Sequence, residues 1–269
     1  HRFVKCGSAG GRPSRQNRAN LQTDFSTLQE TMDAMTGQQI TLTADDGGQF
    51  TAWLALPDKA PDAGVPGIVM LHEIFGVTGW IKNTAEMFAA RGFCVIAPEM
   101  FWRLEPNFVA DFAVPEQRQR GMDHKARIDH GKAIDDIAIS IAHLKSLPQC
   151  NGKIGVTGFC TGGTMAYLTA ARLAVDAAAP YYGTQIHEFL DEGKNIECPT
   201  IFHMGDRDDH VPADIAALVE GATAGLPDIA IHHYDTGHAF AHTERADHYS
   251  KEAADAAHAR TFALFNRLR

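Results

Sequence analysis

Residues 151–163 read NGKIGVTGFCTGG and form the clearest local pattern of the chain. Within this stretch, KIGVTG has the composition of a buried strand, and the sequence that follows Cys160, TGGTMAYLTAARLA, has the composition of a helix. The chain therefore reverses its direction around Cys160, between Gly158 and Gly162. Small residues on both sides of such a reversal allow a strand and a helix to approach each other closely.

A glycine–x–nucleophile–x–glycine sequence between a strand and a helix is typical of the nucleophile elbow of the α/β-hydrolases. The central residue lies at the N-terminus of the helix, where free N–H groups and the helix dipole stabilise an anion such as a thiolate. A buried cysteine beside a glycine-rich turn is the alternative interpretation. The motif alone leaves both interpretations open.

Two later segments favour the nucleophile. Asp206, Asp208 and Asp209 follow the predicted strand PTIFHM, and His238 follows the predicted strand IAIHHYD. Nucleophile, acid and base occur in this chain order in α/β-hydrolases, at the carboxyl edge of the sheet. His238 is expected to accept the proton of Cys160, and Asp208 to orient the imidazole. Asp206 and Asp209 are expected to cap the turn or to face solvent.

Strands and helices alternate along the chain after residue 35. QITLT (39–43) and FTAWLAL (50–56) predict a hairpin, and the apolar runs IVMLH and FCVIAP predict buried strands. Residues 101–126 are expected to form an irregular excursion, and a long helix is predicted over 127–147. The pattern predicts an α/β-hydrolase fold, with a mainly parallel sheet and helices on both faces.

This pattern assigns residues 35–269 to a single α/β-hydrolase domain. Met35 opens MTGQQITLTADDGGQF, which is typical of the beginning of a domain. The preceding residues 1–34 are polar and rich in Gly and Arg. We interpret them as an N-terminal extension that is either disordered or a cloning remnant.

The composition is that of a soluble globular protein, with 269 residues, 45% of them hydrophobic, and a net charge of −9. The negative charge argues against nucleic acid as a partner, and no apolar run approaches the ~20 residues of a membrane-spanning helix. Five scattered cysteines without a CxxC pair argue against a disulfide framework and a structural zinc site. We expect a cytoplasmic monomer or small homo-oligomer that binds a small molecule.

Six motifs together resemble those of the dienelactone hydrolase, or carboxymethylenebutenolidase, family. They are LHEIFGV (71–77), NGKIGVTGFCTGG (151–163), YYG (181–183), FHMG (202–205), DDHVP (208–212) and GHAFAHT (237–243). A cysteine in place of the usual serine is itself specific to this family. The resemblance implies hydrolysis of a small ester or enol lactone through a triad of Cys160, Asp208 and His238. It implies a thioester acyl-enzyme and no metal or organic cofactor.

The motif HEIFG adds further candidate residues. The resemblance implies that Glu73 contacts the catalytic thiol and helps to activate it, whereas a structural pair with His72 is the alternative. A carboxylate near a thiol is either its base or a like charge that represses its thiolate. The backbone N–H groups of Ile74 and Thr161 are the expected oxyanion hole, because one follows the early strand and the other follows the nucleophile.

The sequence departs from the family where a substrate carboxylate is bound by two arginines. The position four residues after the triad histidine holds His242, and an imidazole cannot replace a guanidinium fork. Arg118 and Arg120 are the candidates for the other arginine, and the spacing to NGK favours Arg118. A solvated surface charge is the alternative for each. Whether Arg245 compensates stays open.

We therefore expect weaker selection for a carboxylated substrate than a two-arginine site would give. One alternative function is that of a carboxylesterase or lactonase with a different, uncharged substrate. Another is a non-catalytic binding protein on the same scaffold, because such scaffolds can bind without turnover. A complete triad favours the enzyme, since a binding protein has no need of all three residues.

Overall fold

The computed structural model describes residues 37–269, so the interpretation of residues 1–34 lies outside the described residues. The strands are β1 (Gln38–Thr43), β2 (Gln49–Ala55), β3 (Val65–Leu71), β4 (Cys94–Pro98), β5 (Cys150–Phe159), β6 (Ala177–Tyr181), β7 (Thr200–Gly205) and β8 (Ile229–Tyr234). The helices are α1 (Gly79–Ala89), α2 (Pro115–Arg127), α3 (His130–Ser146), α4 (Thr161–Arg172), α5 (Ala213–Thr223) and α6 (Lys251–Phe265). Two short 3-10 segments span Ile186–Asn195 and Asn266–Leu268.

The strands form one sheet in the order β1-β2-β4-β3-β5-β6-β7-β8. The β1–β2 and β2–β4 pairs are antiparallel, which confirms the predicted hairpin, and the remaining pairs are parallel. Strands β3, β4 and β6 are buried along their whole length. Such strands are covered on both faces, as the sequence predicts for an α/β-hydrolase fold.

The helices cover the sheet through two separate apolar clusters. One cluster contains Ile137 of α3 and Leu168 of α4. The other contains Phe88 of α1 and Phe265 of α6. The core therefore lies on both sides of the parallel strands and holds their carboxyl ends in a fixed arrangement. Within residues 37–269, no helix has both the length and the apolar character that crossing a membrane requires.

The predicted irregular excursion over residues 101–126 is wrong in its second half, because α2 occupies Pro115–Arg127. Proline is compatible with a first helical turn, where its missing N–H breaks no hydrogen bond. Only Gly121 and His124 of this helix are buried, so the sequence lacks the apolar stripe by which a helix is recognised. Helix α3 begins at His130 because Asp129 caps it, accepting a hydrogen bond from the Lys132 N–H at 3.1 Å.

The reversal between β5 and α4 places Cys160 at the carboxyl edge of the sheet. Its backbone has φ 57° and ψ −115°, a strained conformation for a residue with a side chain. A Cβ atom on Gly158 would overlap the carbonyl oxygen of Gly162, and a Cβ atom on Gly162 would overlap that of Leu71. The two glycines are therefore required by the tight turn that the motif predicts.

Candidate active site

Cys160, Asp208 and His238 lie together at the carboxyl ends of neighbouring strands. Cys160 directly follows β5, Asp208 lies in the turn after β7, and His238 in the turn after β8. Nδ1 of His238 is 2.8 Å from Oδ2 of Asp208, and the same imidazole lies beside the Cys160 thiol at the cavity. All three residues are buried. The arrangement can move a proton from the thiol to an oriented imidazole.

The other two acids of this turn lie elsewhere. Asp206 contacts Nδ1 of His233 at 2.8 Å, on the exposed side of β8. The side chain of Asp209 is 85% exposed, at the rim of the cavity that Cys160 faces. The choice of Asp208 from the sequence therefore agrees with the geometry.

The acid and the base have opposite and complementary pKa shifts. Burial by itself would raise the pKa of Asp208, but hydrogen bonds from His238 and from the N–H groups of His210 and Val211 lower it. Burial disfavours a charged His238, yet the Cys160 and Asp208 charges and hydrogen bonds raise its pKa to about 10. The site therefore favours a positively charged His238 imidazole beside a negatively charged Asp208 carboxylate.

Two aromatic rings fix the orientation of the His238 imidazole. The ring of Tyr182 meets it edge-on at 5.0 Å between centroids, and the ring of His210 meets it at 4.5 Å. His248 holds the backbone of His238, because its Nδ1 donates to the carbonyl oxygen of His238 at 3.1 Å. Such packing restricts the rotation of the base and keeps it aligned with both of its partners.

Glu73 is buried after β3 and lines the same cavity as Cys160. Burial raises the pKa of this carboxyl to about 7, although the positive charges of His238 and Arg245 oppose the shift. Oε2 of Glu73 is 3.5 Å from Nε2 of His242, and Oε1 has no hydrogen-bond partner within residues 37–269. Glu73 therefore changes its charge near neutral pH, and this charge is coupled to that of His238.

The expected oxyanion donors lie on either side of the nucleophile. Thr161 is the first residue of α4, and Ile74 lines the cavity from the loop after β3. Neither backbone N–H donates to another group of the described chain. Both are therefore available to an oxygen that gains negative charge beside Cys160.

Cys160 faces a cavity of about 320 Å³ whose lining carries three cationic side chains. Arg118 and Lys125 come from α2, and Arg245 comes from the segment before α6. The acidic residues in the lining are Glu73 and Asp209. The cavity has room for a small organic molecule and favours an anionic one.

The two candidate arginines, Arg118 and Arg120, lie on α2 and point in different directions. Arg118 lines the cavity, as the spacing to NGK predicts. Arg120 lies outside it, where its guanidinium pairs with Glu105. Arg120 is therefore not a cavity residue as the sequence suggested, because residues two apart on a helix point to different sides. Arg120 is therefore a surface ion pair in this structure.

His242 is placed behind Glu73 and not on the cavity. Its ring stacks on Trp80 at 4.1 Å between centroids and with an interplanar angle of 11°. Burial and the positive charge of Arg245 lower the pKa of His242 to about 4, so the ring is uncharged at neutral pH. The structure thus gives no support to His242 as a ligand of a substrate carboxylate.

Arg245, which the sequence leaves open, is the second arginine on the cavity. Its Nη2 donates to Nε2 of His248 at 2.5 Å, which holds the guanidinium over the site. The charge around the cavity argues against the expected weak selection for a carboxylate. Sequence reasoning missed Lys125 because it predicted no helix there. Lys125 shares the spacing i, i+4, i+7 with Arg118 and Met122.

Within the described range, no three His, Cys, Asp or Glu side chains lie close enough together to hold a metal ion.

Residues 50–269 match the model of the Dienelactone hydrolase family. The chain belongs to the dienelactone hydrolase family. It is a hydrolase that acts on ester or lactone bonds. The chain is 31% identical over 237 residues to carboxymethylenebutenolidase 1 of Cupriavidus pinatubonensis, covering 87% of this chain and 99% of that protein. It is 32% identical over 237 residues to a carboxymethylenebutenolidase of a Pseudomonas species, covering 87% and 97%.

A solved structure gives the same result for the fold of this chain. The crystal structure of a candidate dienelactone hydrolase from Klebsiella pneumoniae matches with a TM-score of 0.77 and 25% identity. The match covers 87% of this chain and 99% of that protein. The α/β-hydrolase fold predicted from the sequence is confirmed.

Proposed function

We propose that the chain hydrolyses a small enol lactone that carries a carboxylate, with Cys160 as nucleophile, His238 as base and Asp208 as its orienting partner. The observation that carries this proposal is the placement of His238 between Asp208 and Cys160 at a cationic cavity. The carboxymethylenebutenolidase relatives support the same substrate class.

Acylation begins with His238 holding the proton of Cys160. The thiolate attacks the carbonyl carbon of the lactone, and the carbonyl oxygen becomes an oxyanion that accepts hydrogen bonds from the Ile74 and Thr161 N–H groups. The ring C–O bond then breaks, and the enolate oxygen takes the proton from the His238 imidazolium, which leaves His238 neutral. The acyl group remains on sulfur as a thioester.

Deacylation regenerates the thiolate. His238, now neutral, accepts a proton from a water molecule, whose oxygen attacks the thioester carbonyl carbon. The same two N–H groups bind the second oxyanion. The C–S bond breaks, the product leaves as a carboxylate, and Cys160 again shares its proton with His238.

The choice of a thiol limits the substrates that suit this site. A thiolate leaves a tetrahedral intermediate more easily than a simple alkoxide does, so attack on an ordinary alkyl ester tends to reverse. An enolate is a better leaving group, and the enol becomes a ketone after release. Enol lactones and activated esters are therefore the substrates for which Cys160 is most effective.

The carboxylate of the substrate is expected to bind between Arg118 and Arg245. Arg118→Met and Arg245→Met are each expected to lower the preference for cis-dienelactone over an uncharged lactone by about 10-fold, the value of one hydrogen bond to a charged group. The measurement is kcat/KM for the two lactones with each variant.

The matched control is Arg120→Met, on the same helix but paired with Glu105 outside the cavity. Its preference between the two lactones should equal that of the wild-type protein, whatever its effect on the two rates. A protein that turns over neither lactone nor p-nitrophenyl acetate would contradict the proposed function. If Arg118→Met and Arg245→Met lower kcat/KM equally for both lactones, the proposed carboxylate site is contradicted.

Glu73 is expected to determine the pH dependence. Its ionised form stabilises the nearby imidazolium of His238, to which its charge is coupled. Because burial raises the pKa of Glu73 to about 7, kcat/KM should rise as the pH increases through about 7. Glu73→Gln keeps the shape but cannot ionise, so this inflection should vanish and kcat/KM at pH 8 should fall by about 10-fold. If the pH profile of kcat/KM keeps its inflection near pH 7 in Glu73→Gln, the inflection belongs to another group.

A further inference from the structure

The loop that carries the Ile74 N–H is fixed on one side by the segment Phe108–Ala110. The Ala110 N–H donates to the carbonyl oxygen of Phe75 at 3.0 Å, and Gly76 forms an antiparallel bridge with Val109. A Cβ atom on Gly76 would overlap the carbonyl oxygen of Phe108. Backbone therefore packs directly on backbone on this side of the loop.

Helix α2 fixes the same loop on its other side, at Gly121. A Cβ atom on this glycine would overlap the carbonyl oxygen of Ile74 and would lie 3.3 Å from the Ile74 Cβ atom. Glycine inside a helix costs about 1 kcal/mol relative to alanine. Its presence in the middle of α2 is explained by this close approach to the Ile74 peptide.

Helix α2 is also held by its buried His124 ring, which packs against Phe101 and Phe108 at 5.6 and 4.5 Å between centroids. Nε2 of His124 is 3.0 Å from Oε2 of Glu105, and Arg120 pairs with the same carboxylate. The Gln117 side chain accepts a hydrogen bond from the Asp111 N–H at 2.7 Å. The position of α2 against Ile74 thus depends on the contact at Gly121, on the His124 ring and on a few polar anchors.

We infer that Gly121 is a positioning residue for the oxyanion hole. Its missing side chain lets α2 pack against the Ile74 peptide and so keeps the Ile74 N–H directed at the oxygen that becomes charged. Arg118 and Lys125 of the same helix face the cavity. Helix α2 would therefore both contact the substrate and fix the Ile74 N–H as a donor for the transition state. This inference rests on the proposed function.

Gly121→Ala tests the inference. The added methyl group displaces the Ile74 peptide, so kcat for cis-dienelactone should fall by about 30-fold, a part of the loss that removing an oxyanion donor causes. KM should stay within about twofold, because the cationic side chains remain. Alkylation of Cys160 by iodoacetamide should proceed at the wild-type rate, since this displacement forms no oxyanion. The control is Gly221→Ala on α5, where a Cβ atom meets nothing within 4 Å.

Wild-type turnover of cis-dienelactone tests the proposed function first, and its absence would refute that proposal rather than the role of Gly121. With active wild-type protein, an unchanged kcat in Gly121→Ala overturns the inference, as does a parallel loss of kcat and alkylation. If Gly121→Ala does not fold, Glu105→Ala replaces it, because that change frees Arg120 and His124 and loosens α2. Its kcat should then fall by about 5-fold with alkylation unchanged, and an unchanged kcat again overturns the inference.

Discussion

Replacing His238 by alanine is expected to lower kcat for lactone hydrolysis by about 10⁴-fold at neutral pH. The imidazole lies beside both Asp208 and Cys160. In the proposed mechanism it holds the thiol proton in acylation and takes a proton from water in deacylation. Alanine removes both steps while leaving the cavity and its cations in place. The measurement is single-turnover and steady-state hydrolysis of cis-dienelactone.

His233→Ala is the matched control for this change. His233 follows His232 on β8, and its ring is 2.8 Å from Asp206 and 2.8 Å from Glu220, outside the catalytic cavity. Its loss should leave kcat within about twofold, the range of an exposed substitution that touches no substrate. A His238→Ala protein that keeps more than a tenth of the wild-type kcat would show that another group is the base.

Cys160→Ala is expected to remove turnover to at least the same extent, at least about 10⁴-fold, because no other nucleophile can form the acyl-enzyme. The fold should be retained, since alanine fits the space of the thiol and can adopt the same backbone conformation. Circular dichroism should give a melting temperature close to that of the wild-type protein. Cys150→Ala, at the half-buried start of β5, should keep full activity.

The grouping of Cys160, Asp208 and His238 could be predicted from the sequence because it depends on the order of the strands along the chain. Cys160 lies in a turn that only small flanking residues allow, and Asp208 and His238 each follow a short apolar run. Parallel strands bring their carboxyl ends to one edge, so chain order alone places these three side chains together. The buried strands could also be predicted, because their apolar composition reflects burial on both faces of the sheet.

The cavity wall could not be predicted in the same way. Helix α2 is polar and packs through Gly121, so its sequence resembles that of a surface excursion, and Lys125 was missed with it. How deeply a polar side chain is buried depends on the tertiary structure around it and not on its local sequence. Nothing in GHAFAHTER shows that His242 stacks on Trp80 while Arg245 reaches the cavity.

The other described cysteines make the central claim testable within a single protein. Burial raises the pKa of Cys94 to about 12 and also raises that of Cys198, so their thiols resist acylation. Cys160 instead lines the cavity of about 320 Å³ beside His238, the proposed base. A covalent intermediate should therefore form on one thiol among several.

Rapid acid quench of the working enzyme, followed by peptide mass spectrometry, tests this directly. Because opening a lactone keeps both fragments in one molecule, the peptide that contains Cys160 should gain the full mass of the substrate. The gain should disappear as the substrate is consumed and should be absent from Cys160→Ala. Sustained turnover with an unmodified Cys160 peptide, or with the added mass on another residue, would contradict the account.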